Sequence, residues 1–354
     1  MKPLPAQDLR HVLQLTRPLW EGELAQARIF VTGGTGFIGR WLLESFALAQ
    51  ATHARGARMT VLSRTPEAFL EAHPHLALPG IIDWVRGDVA DFSAPGGAYS
   101  HVMHAATEAD AKRWRDVPTA MERAVVEGTL HTLRFAATRG CRRFLLTSSG
   151  AVYGTQPPEV GHVTEPEWNV DAPQKGRPAT PYGEAKRSAE RLGTSMARLT
   201  GMEFIPARLF AFAGPGLPLD RHFAAGNFLR DALRGGPITI EGDGTPLRSY
   251  QHPADTACWL WTLLCKARSC RPVNVGSEEA VNIAELARAV ALAAGGQTKV
   301  EVLGTPTPGA LPARYVPSTQ RAQQELALTN TISLEEGLAR TIAWLRDEGQ
   351  GTHP

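Results

Sequence analysis

Short apolar runs alternate, over the first two thirds of the chain, with segments whose apolar residues recur every three to four positions. Runs at 28–32, 59–62, 81–85, 101–104, 143–147 and 203–209 have the length and residue types of buried strands. Between them, residues 37–49, 119–138 and 182–199 carry helical spacing, as in Ile38, Trp41, Leu42 and Phe46. Strands alternating with helices predict an α/β fold with a doubly wound parallel sheet covered on both faces. Ahead of the first run, Leu9, Val12 and Leu13 predict a short helix, with Asp8 in position to cap it, and then a loop. After residue 210 the texture changes. Gly and Pro become frequent, as in Gly214-Pro215-Gly216 and Gly235-Gly236-Pro237, and helical segments at 254–264, 283–294 and 334–345 sit among short strands. The expected organisation is therefore an N-terminal extension (1–27), a dinucleotide-binding unit that carries the catalytic residues (28–210), and a smaller α/β lobe that binds mainly the substrate (211–354).

Composition narrows the classes. A chain of 354 residues, 43% hydrophobic and 20% charged, is folded and long enough for two lobes. With 37 basic and 35 acidic residues, net charge +2, neither nucleic acid nor an anionic membrane is the expected partner. The longest apolar run, residues 257–265, is about half of a membrane span. The four cysteines (Cys141, Cys258, Cys265, Cys270) form no CxxC pair, and no secretory leader is visible. A reduced, cytoplasmic chain without a disulfide framework or metal site is expected.

The first strand runs directly into Thr32-Gly33-Gly34-Thr35-Gly36-Phe37-Ile38-Gly39, which opens a helix. Glycines at 33, 36 and 39 let backbone N–H groups approach a pyrophosphate, and the helix N-terminus adds its positive dipole end. This placement inside a βαβ unit predicts a Rossmann-like dinucleotide site. An acidic residue ending the second strand would bind the adenosine ribose, but the strand reads Val61-Leu62-Ser63-Arg64. Ser63 and Arg64 favour NADP(H), whose 2′-phosphate an Arg accepts, with NAD(H) as the alternative. Asp88, in Gly87-Asp88-Val89, follows the third strand and suits the adenine edge.

Tyr182 and Lys186 stand at i and i+4 at the start of a helix and share a face. A nearby ammonium is expected to lower the phenol pKa, so that Tyr182 exchanges a proton with a carbinol or ketone while hydride moves. Ser148 and Ser149 end the fifth strand, where open α/β sheets bind their ligands.

In these marks the chain resembles an extended short-chain dehydrogenase/reductase of the NAD-dependent epimerase/dehydratase group, which acts on nucleotide sugars. The resemblance runs from about Arg28 to Leu345. It rests on the glycine motif, His104-Ala105-Ala106, Ser148-Ser149-Gly150-Ala151-Val152-Tyr153-Gly154, Tyr182-Gly183-Glu184-Ala185-Lys186, Gly242-Asp243-Gly244 and Asn274-Val275-Gly276-Ser277. It implies Tyr182 as the acid–base, Lys186 on the nicotinamide ribose, and Ser149 rather than Ser148 as the catalytic serine. It implies further cofactor contacts from Phe37, Ile38, Val89, Ala105 and Ala106. Asn227 and Arg248 match positions that touch the nucleotide diphosphate, and a homodimer through the helices at 119–138 and 182–199 is implied as well.

Departures bear on the reaction. Members that eliminate water across C5–C6 carry Asp-Glu after the catalytic Ser/Thr, and decarboxylating members usually keep the Glu. Here those positions are Gly150 and Ala151. A sugar-facing Asn after the sixth strand is replaced by Ala211. The expected activity is hydride transfer at sugar C4 of a nucleotide sugar, with 4-keto reduction slightly favoured over 4-epimerisation. The alternatives are a 4,6-dehydratase with a substitute acid, or a catalytically silent cofactor-binding protein.

If Arg64 binds a 2′-phosphate, Arg64→Ala weakens NADP(H) binding roughly tenfold to a hundredfold and leaves NAD(H) nearly unchanged. Parallel titrations with the two cofactors check this; equal losses would assign Arg64 to the adenine instead.

Overall fold

The computed structural model describes residues 1–107, 114, 116–168, 170, 179–221 and 223–350. Helix α1 (Ala6–Glu21) leads into β1 (Arg28–Thr32), α2 (Phe37–Thr52), β2 (Arg58–Ser63), α3 (Pro66–Ala72), β3 (Ile82–Arg86) and β4 (His101–His104). Then come α4 (Pro118–Thr138), β5 (Arg143–Ser149), α5 (Pro181–Thr200) and β6 (Glu203–Leu209). Past residue 210 lie β7 (Ala211–Phe212), α6 (Ala224–Leu233), β8 (Ile238–Ile240), β9 (Leu247–Gln251), α7 (Pro253–Lys266) and β10 (Val273–Val275). The chain continues through β11 (Ala280–Asn282), α8 (Ile283–Ala293), β12 (Val300–Val302), β13 (Arg314–Tyr315), α9 (Gln320–Leu326) and α10 (Leu334–Gln350).

Seven parallel strands form the main sheet in the order β10-β6-β5-β4-β1-β2-β3. The period of two sends alternate side chains to opposite faces. Ile29, Val31, Met103, Leu145 and Ile205 join one core with α2 and α7. Phe30, Val102, Phe144, Leu146 and Phe204 join the other with α4 and α5. Strand order reverses between β1 and β4, whose C-terminal residues Thr32 and His104 are in register. Chains leave these two strands toward opposite edges, and a crevice opens there.

The N-terminal helix differs from expectation. It is 16 residues long and lies on the first core, with Val12, Leu19 and Trp20 buried and Trp20 edge-on to Trp261 at 4.7 Å. Asp8 is no cap. It sits buried inside the first turn and pairs with Arg340 of α10, and its burial pushes the carboxyl above the usual carboxylate range.

Residues beyond 210 build a third core from α6, β8, α8 and α10, including Phe228, Leu229, Leu286, Val290 and Leu338. Two small sheets accompany it, one with β9 between β11 and β13, the other pairing β12 with β8. The chain also returns to the main sheet, where β10 pairs with β6, a seventh strand that its three residues do not announce in the sequence. All four cysteines carry free thiols. Among the described residues no helix is long and apolar enough to cross a membrane.

One buried ion pair joins these parts. Arg208 on β6 and Glu190 on α5 are both 0% exposed and meet twice, at 2.8 and 3.0 Å. Ser148 donates to the same carboxylate. Arg208 also donates to the Tyr153 hydroxyl at 2.9 Å, which donates in turn to Asn274 Oδ1 on β10 at 2.7 Å. Removing one partner of a buried pair strands the other charge. Glu190→Ala is therefore expected to cost about 3–5 kcal/mol in urea unfolding. A loss below about 1 kcal/mol would show that water or a neighbouring group satisfies Arg208.

Candidate active site

A groove of about 1280 Å³ lies over the C-terminal ends of the strands, between the main sheet and the second lobe. Its floor at the crevice is the glycine loop. Gly33 has φ +72, and a Cβ there would stand 2.4 Å from the Ala105 backbone. At Gly39 a Cβ would come within 2.2 Å of the Gly33 carbonyl oxygen. These contacts hold the turn flat against β4. The N-cap of α2 is Gly36, which supplies no side-chain cap. The first-turn N–H groups are thus left for an anion. Phe37, Ile38, Ala105 and Ala106 line the same stretch. The cradle fits the pyrophosphate of a dinucleotide.

Toward one end, Ser63, Arg64, Asp88 and Val89 line the groove. Arg64 is exposed. The Ser63 hydroxyl accepts from Thr65 N–H at 3.2 Å, and Asp88 Oδ1 accepts from Ala90 N–H at 3.0 Å. Behind this end, Glu44, His73 and His75 form the one His–carboxylate cluster of metal-ligating spacing among the described residues. Its carboxylate is already engaged by Arg40 and by the Leu4 N–H.

Toward the other end stand the residues of the acid–base argument. Ser149 ends β5, while Tyr182 and Lys186 open α5, whose N-cap Thr180 accepts from Gly183 N–H at 3.1 Å. The Tyr182 hydroxyl hydrogen-bonds Ser149, and its ring meets Trp114 edge-on at 5.3 Å. Lys186 donates to Thr107 Oγ1 at 2.6 Å and to the Thr147 carbonyl at 2.7 Å. Ser148 also borders the groove, but its hydroxyl is engaged by Glu190.

The electrostatics differ from the sequence-based expectation. Burial raises the Tyr182 phenol above its ordinary value, neighbouring Tyr315 raises it further, and the Ser149 hydrogen bond only partly offsets this. Lys186 does not draw it down: its ammonium is directed at Thr107 and Thr147, 5.9 Å from the Tyr182 ring centroid. Burial brings Lys186 itself down to about 7, against the opposing pull of Glu190. His104, beneath the site, is held neutral by burial and spans Thr32 Oγ1 (2.8 Å) and Thr129 Oγ1 (3.1 Å).

Among the groove residues that escaped the sequence reading, three stand beside the acid–base group. Thr107 receives the lysine. Phe210 and Tyr315 pack at 4.7 Å, and the Tyr315 hydroxyl lies 3.4 Å from Ser149 Oγ. Their rings explain Gly150: a Cβ there would stand 2.5 Å from Phe210 and 2.8 Å from the Tyr315 hydroxyl. An acidic side chain at 150 has no room. Thr107 follows a recognisable strand end, which is a usable signal; Tyr315 sits on a two-residue strand after a Gly/Pro-rich stretch, which offers none.

Arg248, on β9, lines the groove with its guanidinium 5.9 Å from the Tyr315 ring centroid. Asn227 does not line it. It lies half-buried on α6, with Oδ1 accepting from Arg230 at 3.3 Å.

Comparison with known proteins shows the family and the fold. The chain is 30% identical over 330 residues to UDP-glucuronic acid decarboxylase 1 of Arabidopsis thaliana, covering 92% of this chain and 72% of that protein. Among solved structures it is similar to UDP-glucose 4-epimerase of Thermotoga maritima (TM-score 0.75, 22% identity, 91% of this chain and 99% of that one). It is also similar to a dTDP-glucose 4,6-dehydratase of Streptomyces venezuelae solved with NAD bound (TM-score 0.75, 24% identity, 92% and 98%). The sequence profile of the NAD dependent epimerase/dehydratase family matches residues 29–276, and the chain belongs to that family.

Proposed function

We propose that this chain transfers hydride at C4 of a nucleotide-linked sugar. The observation that carries the reading is the convergence of Ser149, Tyr182 and Lys186 at one end of a groove whose other end is built for a dinucleotide. When bound, the nicotinamide supplies the hydride acceptor and donor. The chain's own residues do the rest. Lys186, reaching across from α5, suits a ribose hydroxyl, and the Arg248 fork suits the diphosphate. Ser149 holds the C4 oxygen. Tyr182, kept protonated by burial, gives its proton to a C4 ketone as it is reduced, or takes the C4 hydroxyl proton in the reverse direction.

Such a site serves reduction of a 4-keto sugar with NADP(H) and inversion at C4 alike. The blocked position at Gly150 speaks against loss of water across C5–C6, because no acid stands beside the serine to protonate a leaving hydroxyl. A second reading is favoured by the decarboxylase relatives. In a nucleotide-linked uronic acid, a ketone at C4 makes the C5 carboxylate a β-keto acid. Such acids lose carbon dioxide without help from an acidic side chain, so the lack of an acid at Gly150 and at Ala151, where decarboxylating members usually keep a Glu, does not obstruct this route. Two copies of the chain are proposed to pair through α4 and α5, which pack side by side and carry Leu199 82% exposed at one end.

The test supplies 4-keto-6-deoxy, neutral hydroxyl and uronic acid nucleotide sugars, each with NADPH and with NAD. Nicotinamide absorbance, sugar product and released carbon dioxide are followed together. Consumption of NADPH with a keto sugar identifies a reductase, and C4 inversion without net consumption an epimerase. Carbon dioxide from the uronic acid selects the second reading. Turnover of none of them, or a 4-keto-6-deoxy product from a hydroxyl sugar, would overturn the proposal. On whichever substrate is turned over, Tyr182→Phe is expected to lower kcat about 10²–10⁴-fold with cofactor binding retained. Activity within twofold of the parent would remove Tyr182 from the acid–base role.

A further inference from the structure

The groove wall does not end at the glycine loop. Next to the first turn of α2 it is completed by Met1, Arg40, Trp344 and Leu345, from three distant parts of the chain. These are stitched together by residues 1–5, which lie outside the stretch matched by the family profile.

The stitching is specific. Leu4 is buried, and its N–H donates to Glu44 Oε2 at 2.7 Å. Arg40, the residue after Gly39, donates its Nε to Glu44 Oε1 at 2.8 Å and its Nη2 to the Lys2 carbonyl. Trp344 of α10 donates its indole N–H to the Pro3 carbonyl at 3.0 Å. Lys2 donates to the Trp344 carbonyl and stands 5.2 Å from its ring centroid, while the Arg40 guanidinium stands 5.8 Å from the same ring. A Cβ at Gly216, in the loop after β7, would lie 3.6 Å from a Leu4 methyl and 3.7 Å from Phe37. One short segment therefore ties the helix that faces the pyrophosphate to the last helix of the other lobe.

We infer that residues 1–5, pinned by Trp344 and Arg40, form a strap across the wall of the dinucleotide groove, and that the strap must detach before a bound dinucleotide leaves. Its contacts run to α2, α10, the end of α3 (the Met1 amino group donates to the Ala72 carbonyl at 2.6 Å) and the loop after β7, and among the described contacts none is to Ser149, Tyr182 or Lys186. It acts on exchange of the dinucleotide and leaves the acid–base chemistry untouched. A retained dinucleotide suits a cycle in which hydride leaves and returns within one encounter. The inference rests on the proposed function only in so far as the groove holds a nicotinamide dinucleotide.

The experiment uses the full chain, a variant lacking residues 1–5, and Trp344→Phe. The last keeps an aromatic ring in place and loses only the indole donor, so it covers the case in which the truncated chain does not fold. Each protein is loaded with NADH, and also with NADPH, then chased with excess oxidised cofactor while nicotinamide fluorescence is followed in a stopped-flow instrument. Association is measured separately, and thermal melting confirms folding. Loss of a few hydrogen bonds predicts dissociation faster by about tenfold in the truncated chain and about threefold in Trp344→Phe. Association speeds up in parallel, so Kd moves less than either rate. A merely structural role would weaken Kd without speeding association. Unchanged rates in a folded variant, or slower dissociation, would overturn the inference. Faster exchange supports it whether or not a sugar reaction is found. Failure of the parent protein to bind either dinucleotide would overturn it together with the proposed function.

Discussion

A guanidinium and a carboxylate with no exposure to solvent sit where β5, β6, β10 and α5 come together, and the candidate active site is arranged around them. Arg208 and Glu190 stabilise each other only because the geometry is bidentate and the remaining donors find Tyr153 and two backbone carbonyls. The pair fixes how α5 lies on the sheet. Tyr182, Lys186 and Glu190 follow one another at i, i+4 and i+8 on that helix, so its position places all three. It also turns Ser148 inward, which leaves Ser149 facing the groove.

Around that anchor, the reacting end of the groove is crowded with hydroxyl groups and poor in carboxylates. Ser149, Tyr182 and Tyr315 stand together, and the rings of Phe210 and Tyr315 fill the space beside Gly150. Buried phenols stay protonated, and such a site donates hydrogen bonds to a sugar oxygen more readily than it accepts protons from carbon. This environment suits the proposed hydride transfer at a carbinol carbon.

The sheet and the phosphate loop were legible because their chemistry is local. The strands at 28–32, 101–104 and 203–209 have the ends that the apolar runs predict, since Gly and turn residues bound them. The glycine spacing could be read because a tight turn against β4 tolerates little else. What escaped depended on contacts between distant segments. Tyr315 reaches Ser149 across 166 positions of sequence, and β10 offers only three residues of pattern. The ionisation of Tyr182 was misread for a related reason. The i, i+4 spacing puts Lys186 on the right face, but Thr107 and the Thr147 carbonyl, brought by β4 and β5, decide where its ammonium points.

The return of the chain to the main sheet has a consequence for how this protein is made. β6 is synthesised with its outer edge bare, and β10 covers that edge only after some sixty further residues have left the ribosome. During that interval the sheet carries an unpaired strand, the kind of edge that invites pairing with another chain. Arg208, on that same strand, meanwhile lacks the Asn274 link through Tyr153 that β10 supplies. The lobes are thus interleaved in time as well as in space: the main sheet cannot be closed until nearly half of the lobe that follows it has emerged.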